Sequence, residues 1–479
     1  MLDYETIIGL EVHVQLDTRS KAFCGDATTF GAEPNTQIST VSLAYPGALP
    51  RTNKRQVELA VRLGLALGCG INLENTFDRK NYFYADLPKG YQITQDRLPI
   101  CVGGALPVKV GDTWKSIGIH HIHMEEDAGK SIHTESPRYS LIDLNRAGVP
   151  LLEIVTEPDL RSAEEVDAFM SGMRQLVRYL EVSDGNMEQG SMRCDINVSI
   201  RPRGETALRE RCEIKNINSM RYARQAIAYE VDRQVALVKR GEQVQQQTLN
   251  FDPETGRTSP LRDKEDAHDY RYFPEPDLPP VVLDEAYIEK IRSTLPALPR
   301  ERYQSFVQEY GLSDYDAALL TEERSTAELF ASLCQQYDNT KGLANLIINR
   351  LFSWCQDQGM GLGELEVTAA QLVAFQQMID DGKVSNSVAY QRVFPAWMEN
   401  PGQPPLTVAE QLNLIQTSDT DYLEQLARET LDKFPDKVAA YRKGKKGLLG
   451  FFMGQLMRAS KGKADPKVGN AILAKLLEE

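Results

Sequence analysis

Between residues 4 and 18 apolar and polar positions alternate. Ile8, Leu10, Val12, Val14 and Leu16 fall on one side, and Gly9, Glu11, His13 and Gln15 on the other. Period-two alternation predicts a half-buried antiparallel strand. Burial explains the apolar side. It does not explain a carboxylate, an imidazole and an amide in a row on the other. The same build recurs downstream. Met192, Cys194, Ile196, Val198 and Ile200 alternate with Arg193, Asp195, Asn197, Ser199 and Arg201, and Cys212–Asn218 places Glu213 and Lys215 on a shared face. Leu141–Asp159 alternates as well, with Asp143 and Asn145 opposite Ile142 and Leu144. Helical spacing separates these stretches over Arg55–Gly68, Glu164–Leu180 and Arg221–Lys239.

From Arg300 onward the pattern is helical throughout: Arg300–Glu309, Ser313–Leu320, Ser325–Asp338, Thr340–Gln358 and Ala369–Asp381. A Pro-rich gap at Asn400–Pro405 precedes shorter helices near Val408–Gln416, Asp419–Phe434, Pro435–Arg442, Leu448–Ala459 and Pro466–Leu477. The fold class predicted is α+β, with an antiparallel-sheet domain over 1–292, an all-α domain over 293–402 and a small helical tail over 403–479.

The densest chemistry lies in His120–His133. Four of the six histidines fall there (His120, His121, His123 and His133), with Glu125, Glu126 and Asp127, then Ala128, Gly129 and Lys130. As a strand this stretch puts His121, His123 and Glu125 on one face. Imidazole with carboxylate suits a divalent cation, and a lysine beside them suits a phosphate. Each strand taken alone reads equally well as a solvated face. If the strands share a sheet, however, their polar faces form one floor holding Glu11, His13, Glu125, Asp195 and Glu213 beside Lys80, Lys130 and Lys215. That is the equipment of Mg-nucleotide chemistry: hard oxygens for the metal and cations for the phosphates. Arg79-Lys80 and Pro88-Lys89-Gly90 add further candidates for phosphate contact.

Composition changes this picture in three places. No apolar run is long enough to span a bilayer and the N-terminus is acidic, so a soluble cytoplasmic protein with no membrane contact is expected. The seven cysteines are scattered and form no Cys-x-x-Cys pair, which argues for reduced thiols. A net charge of −14 opposes nucleic-acid binding, yet between Lys433 and Lys475 there are 11 Lys and Arg against two acids. Arg442, Lys443, Lys445, Lys446, Lys461 and Lys463 cluster around glycine-containing turns there, as an RNA-backbone patch does. No Gly-x-x-x-x-Gly-Lys-Ser/Thr loop, Gly-x-Gly-x-x-Gly turn or Gly-x-Ser-x-Gly elbow occurs, so a hydrolytic nucleophile is not expected in this chain.

Taken together, several ordered stretches carry a resemblance over essentially the whole chain. They are Ile8-Gly-Leu-Glu-Val-His-Val-Gln-Leu16, Phe30-Gly-Ala-Glu-Pro-Asn35, Lys80-Asn-Tyr-Phe-Tyr84, Asp86-Leu-Pro-Lys-Gly-Tyr-Gln92, His123-Met-Glu-Glu-Asp-Ala-Gly-Lys130, Asn145-Arg-Ala-Gly-Val-Pro150, Met192-Arg-Cys-Asp-Ile-Asn-Val-Ser199, Glu213-Ile-Lys-Asn216 and the Gly444–Lys463 tail. The chain resembles the family of B subunits of the heterotrimeric aspartyl/glutamyl-tRNA amidotransferase. The resemblance implies a cradle similar to the glutamine synthetase fold, followed by helical and tail domains. It implies ATP-dependent amidation of Glu on tRNA(Gln) or Asp on tRNA(Asn). Ammonia would come from a partner amidase (glutaminase), the A subunit, with a small C subunit bracing the two. Carried over by position, Glu11, His13, Glu125 and Glu213 are expected to hold the metal and ATP. Lys80, Lys89, Lys130 and Lys215 are expected on the phosphate side, Asp195 as a further acid, and the basic tail as the tRNA grip. ATP and Mg²⁺ are the cofactors implied. Many members of the family carry Cys-x-Cys and Cys-x-x-Cys near the Phe23–Leu43 segment. Here only Cys24 remains, with Asp26, Ser39 and Ser42 at the other positions, so no zinc is expected. A non-catalytic tRNA scaffold is the alternative reading, since it needs the basic tail but not the facing acids.

Overall fold

The computed structural model describes residues 4–133, 139–261, 270–416, 420–460 and 462–478. The chain divides into two compact units, Met1–Glu301 and Arg302–Glu479.

The first unit is built on one ten-stranded sheet. Its principal strands are β1 (Tyr4–Gln15), β2 (Thr113–Glu126), β3 (Pro150–Thr156), β4 (Met192–Pro202), β5 (Cys212–Ile217), β6 (Gln247–Asp252) and β7 (Arg257–Pro260). They lie in the order β7-β6-β5-β4-β1-β3-β2, with Cys101–Val102 and Gly70–Ile71 continuing past β2 and Ala105–Val110 also paired to it. β1 sits between β4 and β3, so it is central although it begins the chain. On its inner face Ile8, Leu10, Val12 and Val14 are buried, in one core with the apolar faces of α1 (Lys54–Ala66), α2 (Ala163–Tyr179) and α3 (Met220–Lys239). Each helix starts on a side-chain cap that satisfies an end amide: Asn53 accepts from Arg55 N at 2.8 Å, Ser162 from Glu165 N at 3.2 Å and Ser219 from Tyr222 N at 3.2 Å.

Two expectations are corrected. The sheet is mixed, not wholly antiparallel: β5 and β6 pair in parallel. α3 lies between them in the chain and returns it to the same end of the sheet, which is the geometry of a crossover rather than a hairpin. Leu141–Asp159 is not one alternating strand either. Ser140–Asp143 pairs with Lys130–His133 in a separate two-stranded ribbon, while β3 joins the main sheet and is buried at most positions on both faces. The turn between them is tied by Arg146, which donates to the carbonyls of Ala128 and Gly129 at 2.9 and 2.6 Å. Gly129 admits no side chain, because a Cβ there falls 2.9 Å from the Asp86 carbonyl and from Leu144.

The second unit is helical. Its final helices enclose a core of their own, with Leu423, Ala427, Phe452, Leu456, Leu473 and Leu477 fully buried. The run expected over Thr340–Gln358 forms, but a π turn at Ile347–Leu351 interrupts it. A further helical run, which the spacing does not predict, spans residues 386–399, with a second π turn at Ala389–Val393. Pro395 masks it in the sequence; in the structure it follows the π turn at the start of the next α-helical stretch, where proline is tolerated. Among the described residues no helix is long and apolar enough to cross a membrane.

Candidate functional site

The outer face of the sheet carries the side chains that the alternation leaves over. Register decides which of them meet. His13 on β1 lies opposite Arg193 on β4 and Glu153 on β3, and Glu153 lies opposite His123 on β2. One row, Arg193-His13-Glu153-His123, therefore crosses four strands. Glu125, two residues beyond His123 on the same face, completes a compact cluster. His13 Nε2 stands 3.3 Å from Glu153 Oε2 and 3.6 Å from Glu125 Oε1; His123 Nε2 stands 3.2 and 3.5 Å from the same two carboxylates.

A second cluster lies alongside. Glu11 is opposite Asp195, and Glu213 faces Asn197 one row away. Single ligand atoms of Glu11, Asp195 and Glu213 all fall within 4.8 Å of one another, as do those of His13, Glu125 and Glu153. Asn197 donates to Glu11 at 3.0 Å and Thr248 to Glu213 at 3.0 Å. Lys215 Nζ reaches Asp195 at 3.2 Å and Glu213 at 2.9 Å.

The electrostatics follow from this crowding. Burial pushes the Glu11 carboxyl up, and the neighbouring charges of Glu153 and Glu213 push it further. Burial opposes charge on both imidazoles, but the Glu153 and Glu125 carboxylates outweigh it. His13 is raised and His123 is pushed up to about 10. Glu153 is buried too, yet the two imidazoles hold it well below the usual carboxylate range. Lys80, on the short strand Asp78–Asn81, is partly buried; the charges of Glu125 and Glu153 hold it protonated against the cost of burial. Its Nζ lies 4.8 Å from the Tyr270 ring centroid.

The structure thus divides the expected ligand set. Glu11 and Glu213 lie with Asp195, and His13 and Glu125 lie with Glu153 and His123. Lys80 and Lys215 flank the clusters. Lys89 does not join them: it pairs at 2.5 Å with Glu126, whose side chain leaves β2 on the other side from Glu125. Lys130 is exposed on the Lys130–His133 ribbon. His121 stacks on His123 with centroids 5.3 Å apart, and burial and its histidine neighbours hold it down to about 4. The side chain of His133 lies outside the described residues.

Sequence reasoning left Glu153 out of the site. Its signal was a lone carboxylate within the otherwise apolar Pro150–Val155, where a buried acid needs a partner. Arg193 and Asp127 were also left out; they pair at 2.8 Å, and Gln15 donates to the same carboxylate at 2.7 Å.

In the tail, Lys443 and Lys445 are exposed. Arg442 instead caps the last helix, donating to the Leu477 carbonyl at 3.2 Å. Lys446 lies over Tyr441 at 4.3 Å, and Lys463 donates to Asn413 at 2.7 Å. Lys461 lies outside the described residues.

Two family models match the chain: the GatB/GatE catalytic domain over residues 6–289 and the GatB domain over residues 328–477. Relatives are similar from end to end. The B subunit of the aspartyl/glutamyl-tRNA(Asn/Gln) amidotransferase of Thermodesulfovibrio yellowstonii is 46% identical over 478 residues, covering 100% of both chains. That of Geobacter sulfurreducens is 47% identical over 480 residues, again with 100% of both covered. That of Syntrophotalea carbinolica is 48% identical over 474 residues, covering 99% of this chain and 98% of its own. On this full-length similarity, the chain belongs to the family of B subunits of the aspartyl/glutamyl-tRNA(Asn/Gln) amidotransferase.

Proposed function

We propose that this chain is the amide-forming component of an ATP-dependent transamidase that corrects misacylated tRNA. The observation that carries the reading is the pair of adjacent acid clusters on one sheet face, flanked by Lys80 and Lys215.

A side-chain carboxylate is a poor acyl donor, because its leaving group is oxide. In the first step the carboxylate of Glu on tRNA(Gln), or of Asp on tRNA(Asn), attacks the γ-phosphorus of ATP. The bond to the bridging oxygen breaks, giving an acyl phosphate and ADP. Ammonia then attacks the acyl carbon, phosphate departs, and one proton passes from nitrogen to the phosphate. The result is the amide. On this reading Lys80 and Lys215, beside the two acid clusters, neutralise phosphate charge as it shifts between oxygens.

The donor set fits magnesium. Glu125 and Glu153 on one side, and Glu11, Asp195 and Glu213 on the other, supply hard oxygens, His13 adds an imidazole nitrogen once a cation displaces the proton the carboxylates hold on it, and the acids crowd closely enough to raise Glu11. Bound there, a divalent cation supplies charge neutralisation for the phosphates. The sheet with its one acidic face supports reading 1–292 as a cradle of the glutamine-synthetase kind, followed by helical and tail domains over 293–402 and 403–479. On this reading ammonia comes from a partner amidase, the A subunit, with a small C subunit between the two.

Zinc fits poorly at the Cys24 position. Cys24 Sγ donates to Asp26 Oδ2 at 3.2 Å and lies 3.5 Å from Ser42 Oγ, and Ser42 donates to the same carboxylate. Burial raises the Cys24 thiol, which disfavours the thiolate that zinc needs. Elemental analysis of purified protein is expected to show no stoichiometric zinc; one equivalent would overturn this.

The central test uses the chain co-purified with its amidase and small partners, supplied with Glu-tRNA(Gln), Mg-ATP and ammonium chloride but no glutamine. Wild type should form Gln-tRNA and Glu125→Gln, which keeps the volume of the buried side chain and removes its charge, should not. If wild type binds the tRNA but makes no product, the chain is a scaffold and the chemistry lies elsewhere.

A further inference from the structure

The two π turns of the helical unit meet at one place. Ile347–Leu351 and Ala389–Val393 both border an open cleft of about 630 Å³, and Arg350 of the first lies over the Tyr390 ring of the second at 4.8 Å. π-helical residues make up well under 1% of residues in folded proteins, and single π turns inside α-helices are frequent at functional sites. Two of them facing one cleft call for a reason beyond packing.

The chemistry of the walls narrows that reason. Lys341, Asn345, Asn349, Arg350, Asn386 and Tyr390 line the opening. Three are neutral amides; Asn349 donates to Asn345 Oδ1 at 3.2 Å, which aligns those two and leaves the Asn345 NH₂ and the Asn349 carbonyl pointing to a ligand's acceptor and donor groups. The floor is fixed in advance. Asp380 accepts from Tyr337 at 2.8 Å, Asn339 at 2.7 Å and Gln376 at 3.0 Å, so three of its roughly four acceptor positions are taken within the protein. Gly342 closes over this network with no room for a side chain, since a Cβ falls 2.6 Å from both Asn339 Nδ2 and Gln376 Nε2. This network ties the helices beneath the rim amides together before a ligand arrives.

Apolar small molecules and peptide side chains need an apolar pocket, and this lining is mostly polar. An unstacked nucleotide suits it better. Paired donor and acceptor groups match base edges, a guanidinium held over a tyrosine ring extends an aromatic surface on which a base can stack, and a lysine at the rim suits phosphate. We propose that this cleft binds an unpaired nucleotide of the RNA substrate, as a second RNA contact distinct from the basic tail. The proposal rests on the reading above that the substrate is a tRNA.

The test uses the full chain with its amidase and small partners and measures tRNA affinity by fluorescence anisotropy across a salt series. Asn345→Ala/Asn349→Ala is expected to weaken binding about tenfold or more, as the loss of base-edge contacts does. The slope of log affinity against log salt should stay unchanged, because amides release no counterions. Lys341→Ala should lower that slope by about one. A photo-crosslinking benzoylphenylalanine at position 349 should label unpaired tRNA positions, a readout that a folding defect cannot imitate. Wild-type affinity in the double variant, or crosslinks to protein alone, overturns the cleft as an RNA site while leaving the tRNA reading intact. Failure of wild type itself to bind tRNA would remove both.

Discussion

Glu153→Gln is expected to abolish amide formation while leaving tRNA affinity within about twofold of wild type. The carboxylate sits between two imidazoles, 3.3 Å from His13 and 3.2 Å from His123. It is held ionised by both and, on the proposed reading, is one of three donors to a cation. Glutamine preserves the volume and an acceptor oxygen but removes the charge. Loss of one preorganised electrostatic group in a buried site costs about 10²–10³ in kcat. Alanine is the worse probe, since taking one partner from a buried charge cluster costs about 3–5 kcal/mol of stability. The measurement is ammonia-dependent Gln-tRNA formation, with ADP release followed in parallel. Retained amide formation with normal turnover would make Glu153 a structural counter-charge for the histidines and nothing more.

The second large effect is expected at the other end of the chain. Lys443→Glu/Lys445→Glu should weaken tRNA binding by about tenfold or more and reduce the salt slope by about two, because each lost phosphate contact returns its counterions. Both lysines are exposed, so their substitution leaves the tail core of Phe452, Leu456 and Leu473 untouched. Arg442 is unsuitable for this test: it caps the final helix through the Leu477 carbonyl, and its loss would mix folding with binding. Turnover at saturating tRNA should stay near wild type, so the change appears in KM and not kcat. A fall in kcat at unchanged affinity would mean that the tail positions the acceptor end instead of gripping the RNA backbone.

The contrast between these two sites explains what could be read in advance. The exposed basic run holding Lys443 and Lys445 was legible because a run of like charge is a property of neighbouring residues; its role as a tRNA grip is the proposal tested above. Glu11, His13, Asp195 and Glu213 were legible because alternation along a strand assigns each side chain to a face from local spacing alone. Glu153 was not legible in this way. Its strand is buried on both faces, so the alternation that marked the other strands is missing there. Lys89, expected on the phosphate side from the Pro88-Lys89-Gly90 element and the resemblance, pairs instead with Glu126 on the other side of β2 from Glu125, a partnership that local spacing does not reveal.

The sequence by itself therefore determined the mixed first half, the helical second half, the polar faces of β1, β2, β4 and β5, and the basic tail. All of these rest on periodicity and composition, which act over a few residues. Only the tertiary structure decided that β1 lies between β3 and β4, and that His13 is level with Glu153 while Glu11 is level with Asp195. It alone split one expected ligand set into two clusters and brought two π turns to one cleft. Strand order and register are set by contacts between residues far apart in the chain, and a shift of one residue reverses every face.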